Sequence, residues 1–265
     1  MYPAYSLGVK YIQYWLTAAN GKGHGIHSPF VFDFITHVLN DKNQYAEYDL
    51  VENLRSQLLK NKTLLTVEDL GAGSAIHNAN QRSVAAIARH AAKSRKFGQL
   101  LFRIARYYKP STLLELGTSL GISSAYLSLA NPESTIFTIE GAASIAAEAK
   151  SNFEFLGLKN IKPIQDSFDR ALPQLLQKLP SIDLAFIDGN HRYQPTIQYF
   201  QRLVSKTTDY SIIILDDIHW SSEMEEAWHY CKNHETVTLS IDLFFIGILF
   251  FRKEILEKQH FTIRF

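Results

Sequence analysis

Acidic residues follow several short apolar runs beyond the first hundred residues of the chain. Each stands where a predicted β-strand ends: Glu115, Glu140, Asp166, Asp188, Asp216 and Asp217. A carboxylate can accept hydrogen bonds from hydroxyl groups, pair with a cation or ligate a metal ion. Two histidines, His191 and His219, closely follow two of these acids, and an imidazole can act as a general base near neutral pH. We therefore expect a site that is built from strand ends.

The first of these acids opens a glycine-rich turn. Residues Leu113 to Gly121 are L-L-E-L-G-T-S-L-G, an apolar run that leads into two glycines and small hydroxyl residues before a helix-forming segment. Strand, glycine turn and helix form a geometry in which backbone N–H groups approach a ligand closely. A dinucleotide fingerprint needs G-x-G-x-x-G, and a carboxylate in the turn would repel a pyrophosphate. The turn therefore favours a cationic ligand, with an ordinary packing turn as the alternative.

Strands and helices alternate regularly around this turn. We predict five βα units, whose strands are Thr112–Leu116, Thr135–Ile139, Ile161–Ile164, Leu184–Ile187 and Ser211–Leu215. Two further strands, Val237–Ser240 and Leu243–Phe251, have no helix between them and should form an antiparallel hairpin. The pattern predicts an α/β fold with a doubly wound, mostly parallel sheet of seven strands and an antiparallel C-terminal hairpin.

The N-terminal residues have helical spacing and are predicted to form a helical cap. Tyrosines at positions 2, 5, 11 and 14 are expected to be exposed, which is compatible with a lid or a homodimer. A second glycine segment, Asp69–Ser74, is D-L-G-A-G-S. No strand with a terminal acid follows it at the usual distance, so we interpret this segment as a turn between helices.

Composition limits the class of protein. The chain has 265 residues, of which 46% are hydrophobic and 20% charged, so a packed core is expected. A net charge of +1 argues against a broad nucleic-acid interface. A single cysteine excludes a disulfide framework and favours a reducing compartment. We find no signal peptide and no run long enough to span a bilayer, so a cytoplasmic protein without membrane partners is expected.

Three motifs resemble those of a known family. E-L-G-T-S-L-G resembles the first motif of the class I S-adenosylmethionine-dependent methyltransferases. F-I-D-G-N-H, ending at His191, and I-L-D-D-I-H-W, ending at Trp220, resemble the catechol and caffeoyl-CoA O-methyltransferase branch. The resemblance implies a Rossmann-like methyltransferase fold at residues 97–265, preceded by the helical cap at residues 1–96. The antiparallel ending is typical of this fold and not of dehydrogenases.

The resemblance implies that S-adenosylmethionine is the cofactor. Its predicted binding residues are Glu115, Gly117, Thr118, Ser119, Gly121, Ser123, Glu140, Gly141, Asp166, Ser167 and Asp188. Glu140 lies about twenty residues beyond the glycine turn, where nucleotide-binding α/β folds place the acid that binds the ribose. Asp166 and Ser167 end the third predicted strand and are expected to meet the adenine.

The same branch holds a divalent cation with two aspartates and an asparagine. Asp188 and Asp216 match the aspartates, whereas Asp217 stands at the position of the asparagine. The resemblance therefore implies a site for Mg²⁺ or another divalent cation at Asp188, Asp216 and Asp217. Many relatives with an F-I-D-G-x-H signature need no metal, so both alternatives stay open.

A base for the acceptor is the remaining requirement. His191 occupies the position of the branch's basic lysine, and His219 is the second candidate, with Trp220 as a wall of the acceptor pocket. The predicted activity is O-methylation of a small hydroxyl-bearing acceptor, including aromatic ones. A catalytically silent protein that binds the adenosyl ligand and a nicotinamide-dependent oxidoreductase are the alternatives.

Overall fold

The computed structural model describes residues 1–67, 80–90 and 93–265, so the predicted turn at Asp69–Ser74 lies outside the described residues. Two compact units form the chain: a first unit of Met1–Asp41 with Leu176–Phe265, and a second unit of Lys42–Leu175. Among the described residues, every helix is too short or too polar to cross a membrane. The predicted division at residue 96 stays a prediction.

The described residues form the following elements. The helices are α1 Ala4–Thr17, α2 Pro29–Phe34, α3 Ala46–Leu58, α4 Val84–His90, α5 Arg95–Tyr108, α6 Ile122–Ala130, α7 Ala143–Phe155, α8 Phe168–Lys178, α9 Tyr193–Val204 and α10 Ser222–Asn233. A turn of π-helix, Ile35–Leu39, continues α2. The strands are β1 Leu64–Val67, β2 Asn80–Ser83, β3 Thr112–Leu116, β4 Thr135–Glu140, β5 Ile161–Gln165, β6 Leu184–Ile187, β7 Ile212–Asp216, β8 Leu239–Asp242, β9 Ile246–Phe250 and β10 Gln259–Thr262.

The second unit is built on three parallel strands in the order β3-β4-β5. β3 is almost wholly buried, as a strand covered on both faces must be, and its apolar run Leu113-Leu114 lies in the core. Its register against β4 pairs Glu115 with Thr138, which brings two polar side chains together inside an apolar layer. β1 and β2 form a separate antiparallel pair that the sequence did not reveal as a hairpin.

The first unit contains five strands in the order β10-β8-β9-β7-β6. β6 and β7 run parallel, while β9 is antiparallel to both β7 and β8. The predicted C-terminal hairpin is therefore confirmed, with β8 and β9 each starting two or three residues later than expected. β10 pairs in parallel with β8 and was not predicted. The two units together contain eight strands besides β1 and β2, so the predicted count of seven is wrong.

The N-terminal aromatic residues differ in exposure. Tyr5 is exposed, whereas Tyr14 is buried and its hydroxyl donates a hydrogen bond to the carbonyl of Ile263. Tyr11 packs against the ring of Phe244, with ring centroids 5.1 Å apart. The expectation that the tyrosine at position 14 is exposed is therefore wrong, because this helix turns one aromatic face toward the core.

Candidate functional site

The glycine turn joins β3 to α6 and needs left-handed backbone at several positions. Gly117 has φ +104°, Ser119 +48° and Gly121 +80°. Glycine adopts this region without the steric cost that a Cβ imposes. At Gly121 a Cβ would also collide with the ring of Phe153, so this position excludes larger residues for two independent reasons. At Gly117 and Gly121 the backbone of the turn therefore has no side chain that could keep a ligand away from it.

Glu140 holds the glycine turn in place. Its Oε2 accepts a hydrogen bond from the backbone N–H of Ser119 at 2.9 Å, and its Oε1 accepts one from the N–H of Ala142 at 3.0 Å. The carboxylate therefore connects the turn to the start of α7. Each carboxylate oxygen has a second lone pair, so Glu140 can still accept hydrogen bonds from a vicinal diol.

Glu115 lies beneath the turn and is completely buried. Its Oε2 accepts hydrogen bonds from the hydroxyls of Thr138, at 2.6 Å, and Ser124. Burial raises the pKa of Glu115, while the hydroxyls of Ser123, Ser124 and Thr138 oppose that shift and the charge of Glu140 adds to it. Its Oε1 is buried and accepts no hydrogen bond from the described residues. A buried acceptor in that state is suited to a cationic or hydrogen-bond-donating group.

Hydroxyl groups continue from Glu115 to the turn itself. The hydroxyls of Thr118 and Thr138 lie 2.6 Å apart, and Thr138 donates to Glu115. The backbone N–H groups of Gly117 and Thr118 donate to the carbonyl of Ile139, at 3.0 and 3.2 Å. The first residues of the turn are therefore fixed to β4, and Thr118 has a structural role besides any contact with a ligand.

The predicted adenine residues, Asp166 and Ser167, directly precede α8. The Oδ1 of Asp166 accepts hydrogen bonds from the N–H of Ser167 at 2.7 Å and from Arg170 at 2.6 Å. The hydrogen bond from Arg170 lowers the pKa of Asp166. The carbonyl of Gly141 accepts a hydrogen bond from Gln165 at 3.2 Å. Contacts of Asp166, Ser167 and Gly141 with a ligand stay predictions.

In the first unit, three predicted side chains converge after β6 and β7. One ligand atom each from Asp188, His191 and Asp216 lies within 4.8 Å of the others. Because β6 and β7 are parallel and pair Ile187 with Leu215, the next residue of each strand ends up side by side. Asn190 adopts φ +54°, and the turn returns Nε2 of His191 to 3.7 Å from Oδ1 of Asp188.

Asp217 is not a member of this group. Its backbone is left-handed, with φ +52°, and its N–H donates to the carbonyl of Phe245 at 2.7 Å. The carbonyl of Asp217 accepts a hydrogen bond from the N–H of Trp220 at 2.9 Å. The predicted cation ligands Asp188 and Asp216 are thus brought together with His191, which the sequence assigned to the role of base.

His219 is enclosed by two carboxylates. Its Nδ1 lies 3.0 Å from Oε1 of Glu225 and its Nε2 lies 2.9 Å from Oδ2 of Asp242, while its ring stacks on Phe244. Burial alone would lower the pKa of His219, but the hydrogen bonds and charges of Asp242 and Glu225 outweigh it and raise the pKa. Both ring nitrogens of His219 thus have a carboxylate partner, and its role as a second base stays a prediction.

The residues that surround His219 were not indicated by the sequence. Ser221 caps α10 by accepting the N–H of Met224, which fixes Glu225 in the first turn of that helix. Glu225 also accepts hydrogen bonds from the Tyr2 hydroxyl at 2.8 Å and from Lys10 at 3.0 Å. These partners lie more than 200 positions away in the chain, so no local pattern could have indicated them.

Comparison with known proteins identifies the domain around these residues. A family model described as a methyltransferase domain matches residues 114–218. The catechol O-methyltransferases of Bos taurus and Sus scrofa are 33% and 32% identical to this chain over 105 and 106 residues, or 38% of it. These matches cover 39% of the bovine and 57% of the porcine protein, less than two thirds of either relative.

Solved structures share the fold. An O-methyltransferase of Streptomyces achromogenes involved in tomaymycin synthesis, in complex with SAM, is 20% identical with a TM-score of 0.54 over 61% of this chain and 82% of its own. An O-methyltransferase of Bacillus cereus in complex with SAH is 17% identical with a TM-score of 0.56 over 83% and 97%. The Rossmann-like methyltransferase fold and the resemblance to class I S-adenosylmethionine-dependent methyltransferases are thus confirmed.

Proposed function

We propose that this chain, which carries a methyltransferase domain at residues 114–218, transfers a methyl group from S-adenosylmethionine to a hydroxyl group of a small acceptor. The observation that carries the proposal is the position of Glu140, which accepts the N–H of Ser119 at 2.9 Å and that of Ala142 at 3.0 Å. The bond to Ser119 keeps the carboxylate of Glu140 directly beside the glycine turn, which supports a role for it in binding the ribose diol.

The residues of the turn fit the chemistry of the donor. Glu140 accepts hydrogen bonds from the two ribose hydroxyl groups through its remaining lone pairs. The buried Oε1 of Glu115 provides negative charge for a ligand that bears an ammonium and a sulfonium group. Bound S-adenosylmethionine supplies a methyl group that is already activated by the sulfonium. The protein therefore has mainly to align donor and acceptor, which can be worth effective molarities on the order of 10⁵ M or more.

The acceptor hydroxyl must also lose a proton. A phenol has a pKa of about 10, so a base assists the reaction at neutral pH. His191 is suited to receive that proton at Nε2, since Asp188 lies 3.7 Å away and would stabilise the resulting imidazolium. Asp188 is thus the residue that balances the charge of the protonated base.

The same three side chains also fit a divalent cation. Ligands about 2.1 Å from one octahedral ion lie roughly 3 Å apart when adjacent, so a small contraction of the group of Asp188, His191 and Asp216 would complete a partial coordination shell. An imidazole in place of an amide favours Mn²⁺, Co²⁺ or Zn²⁺ over Mg²⁺. As a ligand His191 has its Nε2 occupied, so the two roles of this residue exclude each other.

Isothermal titration with S-adenosylmethionine tests the donor site. We expect Glu140→Gln to weaken binding by about 10- to 100-fold, because a charged acceptor of two hydrogen bonds is lost. Glu154→Gln, an exposed position at the end of α7, is the matched control and should bind like the wild type. No binding by the wild type, or equal binding by Glu140→Gln, would overturn the proposal.

Formation of S-adenosylhomocysteine with a panel of phenols and aliphatic alcohols tests the transfer. Binding without turnover on any member would favour the silent ligand-binding alternative, and competition by NAD would favour the oxidoreductase. Titration of the wild type and His191→Gln with Mn²⁺ and Mg²⁺ separates the two roles of His191. A cation ligand predicts loss of Mn²⁺ affinity in the variant, whereas a base predicts that the wild type and the variant behave alike toward Mn²⁺.

A further inference from the structure

Helix α1 has a clear inner face. Leu7, Tyr11 and Tyr14 pack against Phe244 and Phe245, and the rings of Tyr11 and Phe245 lie 5.8 Å apart. The inner face of α1 is thus fully used in packing within the first unit.

The opposite side of α1 is also apolar. Tyr5, Val9, Ile12 and Leu16 stand at helical spacing and are exposed, with Tyr5 at 84%, Ile12 at 60% and Leu16 at 71% of their full accessibility. Trp15 flanks them and is 46% exposed. We call these five residues the outer face. A helix with apolar residues on both sides is normally covered on both sides.

The five side chains of the outer face are uncharged, and one cation, the guanidinium of Arg264, lies 5.6 Å from the centroid of the Trp15 ring. Lys10 is the single charged residue of α1, and it is bound to Glu225 at 3.0 Å. An interfacial helix that binds anionic lipid normally presents lysine and arginine along its polar edge. α1 lacks that edge, and the net charge of the chain is only +1. The charge distribution therefore argues against a lipid surface as the occupant of the outer face.

The exposed apolar area matches a small protein interface. With large aromatic side chains at about 200 Å² each, the five residues expose on the order of 600 Å², near the top of the range for the largest patch on a typical monomer. Two copies would bury about 1,200 Å² in total, which is the lower end of specific protein–protein interfaces. The area is therefore enough for one self-association and is as large as the largest apolar patches that monomers leave exposed.

We propose that the outer face of α1 binds the outer face of a second copy of this chain, which forms a two-fold symmetric dimer. In such an interface the same patch meets itself, so an uncharged patch pairs without repulsion between like charges. Gly8 lies between Tyr5 and Val9, and a Cβ at this glycine would meet no atom within 4 Å. This notch leaves space for a bulky side chain of the second copy.

Molar mass across a concentration series tests the proposal directly. Light scattering after gel filtration should give the wild type twice the 30.2 kDa of one chain. The double variant Ile12→Glu with Leu16→Glu should give a single-chain mass, since buried charges at both positions would oppose pairing. Leu256→Glu changes a leucine that is 94% exposed outside α1, and this control should stay dimeric.

The melting temperature shows whether the double variant is folded. Ile12 and Leu16 are exposed to solvent in the single chain. We therefore expect Ile12→Glu with Leu16→Glu to keep the circular-dichroism spectrum of the wild type. If the variant unfolds, the milder Ile12→Ser is measured in its place. A monomeric wild type at all concentrations, or a folded double variant that stays dimeric, overturns the proposal.

Cross-linking locates the interface. The native chain has one cysteine, Cys231, which is buried and whose thiol pKa is raised by that burial. A cysteine introduced by Val9→Cys is therefore the reactive one, and a short bis-maleimide should join two chains. Leu256→Cys should give no covalent dimer. Absence of the Val9→Cys product, or sedimentation of monomeric wild type with anionic vesicles, contradicts pairing through this face.

Discussion

The loops after β6 and β7 begin with the same spacing and end with different chemistry. Asp188-Gly189-Asn190-His191 and Asp216-Asp217-Ile218-His219 both place a histidine three residues after a strand-end aspartate. His191 lies 3.7 Å from the aspartate of its own loop. His219 is held instead by Glu225 and Asp242, which belong to α10 and β8. Two equal local patterns thus acquire different roles from residues that are remote in the chain.

The different surroundings of His191 and His219 determine which of the two imidazoles can exchange a proton. An imidazole between two carboxylates is stabilised in its charged form, and its ion pairs contribute to the stability of the folded state. An imidazole near a single carboxylate of its own loop can take up a proton or bind an ion. Substitutions near one histidine should leave the surroundings of the other histidine intact.

Substitution at His191 should have the largest effect. We expect His191→Gln to lower the rate of S-adenosylhomocysteine formation by about 100- to 10,000-fold, the usual contribution of a general base. The melting temperature should hardly change, because the ring lies on a loop and is partly exposed. Steady-state kinetics with the best acceptor of the panel measures the effect. A rate within about 3-fold of the wild type would contradict the role of His191, since such a loss is far below that of a base.

Removal of a carboxylate beside His219 should affect stability. Glu225→Gln weakens the hydrogen bonds of Tyr2, Lys10 and His219, and we expect the free energy of unfolding to fall by about 1–3 kcal/mol. Glu226→Gln makes the same change at an exposed neighbour and should stay within about 0.5 kcal/mol of the wild type. Urea titration measures both variants, and equal stabilities would show that the network around His219 contributes little.

The stability of the fold should depend on pH through His219. Its pKa is raised in the folded state, so its contribution is complete below the unfolded value of about 6.5 and is lost as pH rises through the raised value. Hydrogen bonds from Tyr2, Lys10 and His219 outweigh burial and lower the pKa of Glu225. The contribution of Glu225 is therefore present above about pH 4.5 and lost at more acidic pH.

Melting temperatures between about pH 5 and pH 9 measure this dependence. We expect the wild type to lose stability above neutral pH and His219→Gln to lack that part of the decline. An unchanged slope in the variant would assign the pH dependence to another group.

Asp217 should show the smallest effect. Asp217→Asn removes a charge but keeps a residue that tolerates the left-handed backbone observed here, φ +52°. Because Asp217 is not a member of the Asp188 group, Mn²⁺ affinity should change by less than about 3-fold, or roughly 0.6 kcal/mol. Titration calorimetry measures the affinity. A larger change would bring Asp217 into the cation site and restore the ligand set that the sequence predicts.

Local sequence patterns predicted the parts of the fold that local physics determines. β3 and β6 have the predicted bounds because each contains a short apolar run and ends at a glycine turn or an acid. β10 escaped notice because its four residues, Gln259–Thr262, alternate in exposure and include a single large apolar residue, Phe261. A segment with so little apolar character becomes a strand only when a neighbouring strand edge is available.

The candidate sites also contain some features that local sequence determines and others that depend on distant residues. The approach of Glu140 to the glycine turn could be expected because parallel neighbours place their ends together, and the structure shows it as a hydrogen bond of 2.9 Å. The enclosure of His219 could not be expected, since it depends on Glu225 and Asp242 arriving from other elements. Spacing along a chain predicts which residues share a strand end, but it carries no information on contacts between distant segments.

The hydrogen bond between Ser119 and Glu140 exists with the turn already in its final left-handed geometry. A nucleoside that binds here as proposed would therefore meet a receptor that is organised in advance. Little configurational entropy remains to be lost by the protein on association. We expect complex formation to follow one second-order phase in stopped-flow fluorescence, with no slower rearrangement behind it.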